Sequence, residues 1–205
     1  MSELTPTRSV VLELRDEQRA MREGHAFLDE KCLLLAGEIV RELSRYSARS
    51  RELRSAGDDA TQALAAAIGR HGLDGLQLYP PGDLSNARLA HDVSSLMGVR
   101  LAQASLSAAN AGDAPLIAAS PEAERCRLAC VALIERAAAL GAVAGNLERL
   151  SIEYRRSLRR ARALADVLLP EIARVTSELE TRLEELEQED AIYMSHSART
   201  GPQGR

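Results

Sequence analysis

Aromatic residues are nearly missing from this chain, which has one Phe, four Tyr and no Trp among 205 residues. Rings supply the largest burial per residue in a globular interior, so their scarcity argues against a thick core. Lysine is scarcer still: Lys31 stands alone among many arginines, a bias that coding explains more readily than design. The three cysteines, Cys32, Cys126 and Cys130, are an odd count without a disulfide framework, which fits a reducing compartment. A strong charge of one sign is also lacking. The net charge of -4 comes from interspersed acidic and basic residues, so no field exists to gather nucleic acid or anionic lipid. No run of about 18 apolar residues and no charged-then-apolar N-terminal signal is found, so a cytoplasmic protein without direct membrane insertion is expected. No Gly-x-x-x-x-Gly-Lys-Ser/Thr loop is present and the single lysine falls inside a helical pattern, so neither a nucleotide nor another cofactor is expected. No spacing of Ser, His and acidic residues suggests a nucleophile elbow or triad, and the chain does not read as an enzyme.

What is abundant is Ala, Leu, Glu and Arg, the composition of long helices and coiled coils. From Pro121 to about Tyr193 one seam runs through Cys130, Leu133, Ala137, Leu140, Ala144, Leu147, Ser151, Tyr154, Leu158, Ala161, Ala165, Leu168, Ile172, Val175 and Leu179. Its steps alternate three and four, which keeps a narrow stripe against a partner helix. At a rise of ~1.5 Å per residue the segment predicts a helix roughly 100 Å long. Pro170 lies inside it and predicts a kink near residue 166, because proline lacks a donor and crowds the carbonyl one turn earlier. A first helix should start near Thr5 and Pro6, with a seam of Val11, Leu14, Gln18, Met21, His25, Leu28, Cys32, Leu35 and Ile39. Leu43 and Tyr46 are the next apolar residues, so that two four-residue steps, Leu35 to Ile39 and Ile39 to Leu43, fall in succession, a stutter that unwinds the supercoil locally.

Glycines and prolines concentrate between residues 69 and 120, marking a turn-rich middle. Within it 89–93 and 97–101 read as a small β-hairpin. Ser120-Pro121-Glu122 signals the start of the second helix. The chain therefore divides into an N-terminal helix at 5–68, a middle region at 69–120, a C-terminal helix at 121–193 and a disordered tail at 194–205. The fold class is all-α, a long antiparallel two-helix coiled coil with a small irregular middle. Setting residue 11 against 193 would face the Ala-rich blocks 60–67 and 137–144 and bring positions 64 and 140 together.

Cys126 and Cys130 share a helical face, but zinc needs four ligands and no second pair completes the set, so small-residue packing is the reading and no metal is expected. His25 on the seam reads as a neutral imidazole bonded across the interface. His71, His91 and His196 read as solvated. The acidic run from Glu178 to Asp190 reads as a solvated face that can also meet basic residues.

Several strings, in order, resemble one family. Thr5-Pro6-Thr7-Arg8, then Leu12-Glu13-Leu14 and Arg22-Glu23-Gly24-His25-Ala26-Phe27-Leu28-Asp29-Glu30-Lys31, resemble the start of the D subunit of the V-type (V/A-type) rotary ATPases and ATP synthases. Met97-Gly98-Val99 matches a Met-Gly-Val segment of that family. Arg160-Ala161-Arg162-Ala163-Leu164, Leu168-Leu169-Pro170-Glu171-Ile172 and Leu183-Glu184-Glu185-Leu186-Glu187-Gln188-Glu189-Asp190 are similar to its C-terminal half. Ala163 replaces the usual Asn, and Tyr193-Met194-Ser195-His196 replaces a basic ending. The resemblance implies a noncatalytic rotor shaft, peripheral to the membrane, that couples ATP synthesis or hydrolysis to ion movement. It implies catalytic A and B subunits, the F subunit and a membrane-ring docking subunit as partners. Leu12, Arg15, Arg19, Glu189 and Ile192 are then candidate contacts to the catalytic ring, and Met97, Gly98 and Val99 candidate contacts of the middle. A coiled-coil scaffold or chaperone unrelated to ATP is the alternative that the residues alone leave open.

Overall fold

The computed structural model describes residues 6–79, 87–107 and 120–199. Helix α1 spans Arg8–Leu76. The expected cap, Thr5, lies outside the described residues, and Thr7 caps the helix: its Oγ1 accepts from the Val10 N–H at 3.3 Å and its carbonyl from the Val11 N–H at 3.1 Å. The regular helix breaks at Gly72, whose φ of 69° is open to glycine and strained for other residues. Strands β1 (Arg88–Leu96) and β2 (Val99–Ser107) pair antiparallel, Leu96 opposite Val99. Helix α2 covers Pro121–Ala163 and α3 covers Leu169–Arg199, with one π-helical turn, Leu164–Leu168, between them. The helices thus run past residues 68 and 193, where the sequence pattern weakens.

The hairpin is longer than the expected 89–93 and 97–101, and its second strand starts at Val99, two residues later than expected. Met97 and Gly98 form a two-residue turn with φ of 48° and 84°. Positive φ at both central positions matches the right-handed twist of the flanking strands. Methionine is unusual there, and Met97 packs against the core cluster beneath it.

The wide turn before Pro170 is the local answer to that residue. Proline cannot donate to a carbonyl one turn back, and its ring crowds that carbonyl. Instead the Leu169 N–H reaches Leu164 O, five residues back, and the helix continues beyond it.

By its contacts the chain divides into two units. The first comprises residues 1–32 and 155–205. Here the start of α1 lies antiparallel to α3: Arg8 pairs with Glu187 at 2.8 Å and Arg15 with Glu180 at 2.9 Å. The interior holds Val11, Cys32, Ala161, Ile172 and Leu179, and also the polar Ser157 and Thr176. Thr176 satisfies its hydroxyl on Ile172 O at 2.7 Å.

The second unit comprises residues 33–154. Here the rest of α1 lies antiparallel to α2, with the hairpin packed on the pair. Leu35, Val99 and Leu150 form one core cluster, flanked by Ile39, Met97, Leu101 and Tyr154. A second cluster of Ala63, Ala67 and Cys126 holds the end nearest the middle of the sequence. Small side chains there permit close approach of the two helices, as the alanine content implied.

The register differs from the expected one. Arg15 meets Glu180 where that register called for residue 189, a difference of about two and a half turns. Ala63 and Ala67 pack against Cys126 and Ala129 and not against 137–144. Alanine faces fit one another in many registers, so they do not select one; the caps and ion pairs do. Ser120 is the decisive cap: its hydroxyl accepts from Ala123 N–H at 3.3 Å and lies 2.6 Å from His71 Nε2.

Candidate interaction surface

The α1 seam follows the expected positions from Val11 to Leu35. Beyond Leu35 the inward positions are Glu38 and Glu42, both buried, whereas Leu43 and Tyr46 are exposed. The three-four rhythm therefore continues through acidic side chains, and the expected stutter does not describe the packing. Between residues 146 and 157 of α2 the buried residues are Asn146, Leu150 and Ser157, each one position from the expected Leu147, Ser151 and Leu158, while Ala161 is buried as expected. The expected seam follows apolar residues, while the inner face of this stretch is partly polar.

A single polar group organises that face. Asn146 Oδ1 accepts from Ala102 N–H at 2.8 Å, and its Nδ2 donates to Ala102 O at 2.9 Å. The side-chain amide thus stands in for a third strand at the outer edge of β2. Arg149 extends the seat: its Nε donates to Arg100 O at 2.9 Å and its Nη2 to Asn146 Oδ1 at 2.7 Å. From α1, Glu42 Oε2 lies 3.5 Å from Asn146 Nδ2. Arg41 pairs with Glu38 and Arg45 with Glu42, so the buried carboxylates have cationic partners. None of this is read from the seam pattern; the signal in the sequence is the repeat of Glu followed three residues later by Arg at 38–41 and 42–45.

Beside this seat an open groove of about 880 Å³ is lined by Glu42, Arg45, Arg49, Glu52, His91 and Asp92, among others. Its arginines are matched by carboxylates, Arg49 with Glu52 at 3.0 Å and Arg45 with Glu42. The groove is a polar cleft of mixed charge, without an excess of cations to hold a polyphosphate.

The candidate contact residues fall into two groups. On the first unit Leu12 is 58% exposed and Ile192 60%, Arg19 and Glu189 are exposed, and Arg15 is engaged with Glu180. Tyr193 and Met194 beside Ile192 are more exposed still. On the second unit Met97 is half-buried and Gly98 exposed, but Val99 is 6% exposed and belongs to the core. Val99 therefore holds the turn from within and offers no surface, because strand alternation turns it toward Leu35 and Leu150. Leu89 and Val93 are the apolar hairpin side chains left outside.

The histidines also differ from expectation. His25 Nδ1 faces Asp29 of its own helix at 3.3 Å and does not bond across the interface. His71 is half-buried, bonded to Ser120 and tilted against the Tyr79 ring at 5.1 Å.

Outward apolar residues are numerous elsewhere. On α1 Leu33 is 76% exposed and Val40, one heptad on, shares its face. In the C-terminal helix one 18-residue window has a mean hydropathy of 1.7 with none of it buried, which the absence of an unbroken apolar run concealed. The alanine-rich stretch at 128–145 contains Glu135 and Arg136, and Arg136 lies 3.5 Å from Glu52. Charges at mid-depth of a bilayer are costly, and the stretch is more naturally covered by protein.

Two comparisons bear on what covers these surfaces. A family model described as the ATP synthase D subunit matches residues 10–197. The V-type ATP synthase D subunit of Thermotoga neapolitana is similar over 193 residues at 23% identity, covering 93% of this chain and 95% of that protein.

Proposed function

Because the chain belongs to the ATP synthase D-subunit family, we propose that it is the noncatalytic central-stalk subunit of a V/A-type rotary ATPase or ATP synthase. In this role it couples ATP synthesis or hydrolysis in a ring of catalytic A and B subunits to ion translocation by rotation. The helical segments 5–68 and 121–193 form the shaft, and the middle region 69–120 lies toward the F subunit and the membrane-ring docking subunit. The complex is peripheral to the membrane on its cytoplasmic side.

The observation that carries the reading is the combination of inward self-pairing with outward apolar side chains. Each unit satisfies its seam within one chain, through Val11, Ile172 and Leu179 or through Leu35 and Leu150. Yet Leu12, Ile192, Tyr193, Leu33 and Val40 remain outside. An axle must hold together without its housing and still press on it. Such pressure shifts the surrounding sites between open and closed states only through contact energies that differ between them. Leu12, Arg19, Glu189 and Ile192 supply such contacts at the catalytic end, with Arg15 held by Glu180. Met97 and Gly98, backed by Val99, supply them in the middle.

Affinity purification of the tagged full-length chain from its own cells tests this. Recovery of the A, B and F subunits is expected; a preparation free of all three would leave the scaffold alternative. A paired Leu12→Asp and Ile192→Asp variant should lose A and B while retaining F.

A further inference from the structure

Between Arg155 and Arg162 helix α2 carries Arg155, Arg156, Arg159, Arg160 and Arg162, and no acidic residue occurs from 155 to 165. All five are exposed, while Ser157 and Ala161, on the opposite side of the same turns, are buried. At about 100° per residue the five occupy one continuous face pointing away from the buried stripe. None has an ion-pair partner among the described residues. The contrast is with Arg8, Arg15 and Arg174 of the same unit, each of which meets a glutamate.

Like charges three and four positions apart on a helix repel, and Arg155 with Arg159, Arg156 with Arg159 and Arg156 with Arg160 are all so placed. A chain with a net charge of -4 had acidic residues to intersperse here and did not use them. A local penalty without a local gain marks a surface whose gain lies in a partner. Guanidinium forks, in place of ammonium groups, match planar carboxylates in pairs of parallel hydrogen bonds. A lipid surface is less suited, because basic lipid-binding helices carry a bulky apolar face beside the charges and the opposite face here is Ser157 and Ala161. A nucleic acid would meet the acidic Glu184–Asp190 stretch further along the same helical arm.

We propose that the arginine face at 155–162 is a docking surface for a carboxylate-rich surface of another protein of the same ATPase assembly. The proposal names a partner chemistry for the central-stalk reading and rests on it.

Placing the photoreactive residue p-benzoylphenylalanine at position 159 of the full-length chain, within the purified assembly, tests the contact directly. Irradiation should yield a crosslink to an Asp- and Glu-rich peptide of a different protein of the assembly. A crosslink to a second copy, to lipid or to nucleic acid, or none in an intact assembly, overturns the proposal. The companion variant is R155Q/R156Q/R159Q/R160Q, which keeps helix propensity. It should bind the rest of the assembly about tenfold more weakly at low salt, with a flatter salt dependence. Its own thermal melt should be unchanged or higher, because repulsion is removed. A lower melt with unchanged binding would assign these arginines to the fold and overturn the proposal. If the natural chain captures no ATPase component, the central-stalk reading fails and takes this one with it; if it captures them but crosslinks elsewhere, this one fails alone.

Discussion

Asn146 faces the Ala102 backbone as a neighbouring strand would, accepting from its N–H at 2.8 Å and donating to its carbonyl at 2.9 Å. An otherwise open sheet edge is thereby satisfied by one side chain. Replacing Asn146 with Ala removes both bonds and strands buried polar groups, at a cost of about 1–3 kcal/mol. Hydrogen exchange should show the loss first at the Ala102 amide. Asn146→Asp should be worse, because it cannot donate to Ala102 O and sets a second carboxylate beside Glu42. Equal protection in all three proteins would refute this account of how the hairpin is seated.

Leu35 and Val40 are close in sequence and opposite in role. Leu35 is fully buried between Val99 and Leu150, so Leu35→Ala should destabilise the chain by about 2–5 kcal/mol in denaturant titration. Val40 is exposed, and Val40→Ala should fall within roughly 0.5 kcal/mol of the natural chain. In the assembled complex the order of severity should narrow, since the central-stalk reading puts Val40 against a partner.

The start of α2 should be acid-sensitive. Glu122 is held below the ordinary 4.5 chiefly by its own backbone N–H, then by Arg70, Ser120 and His71. Glu124 is held below it chiefly by the hydrogen bond from Arg127. For groups depressed by folding, the stabilisation is complete above 4.5 and is lost as the pH falls through the lower folded values. Glu124→Gln should therefore lower the melting temperature at pH 6 and have little effect near pH 3. The same difference at both pH values would contradict the assignment.

The three thiols should react unequally. Burial pushes Cys126 up, and Cys130 adds to the effect; burial also pushes Cys32 up, followed by the Asp29 charge. Cys130 is exposed. A maleimide near neutral pH should label Cys130 first, with the others slower by on the order of tenfold or more. Mass spectrometry of tryptic peptides at early times gives the order.

What the sequence disclosed was strongest where burial and hydrophobicity coincide. Val11, Cys32, Leu35, Ala161, Ile172 and Leu179 lie on the predicted seams and are buried. The hairpin was signalled by the alternation in 97–101, but its turn was not: Met97 and Gly98, expected in a strand, form it. Glu38, Glu42, Asn146 and Ser157 escaped, because a pattern search assigns charged and polar side chains to water. Three of them reach partners that their own arginines, the folded hairpin or the opposite helix provide. The register escaped for another reason: alanine surfaces are nearly featureless along the axis, and the contacts that choose among registers, such as Arg15 with Glu180, are single long side chains. Val99 belongs to the interior for a reason its motif does not contain, namely strand parity, which the pairing of Leu96 with Val99 settles.

The wide turn at Leu164–Leu168 has an evolutionary corollary. A segment holding one residue more than an ordinary turn can surrender that one residue, provided a helix-forming residue stands in place of Pro170, and leave Ile192 and Tyr193 aimed as they are now. Removing a residue anywhere in 172–190 would instead swing both by about 100°. Length polymorphism in this arm should therefore be tolerated at that spot, which acts as its slack link.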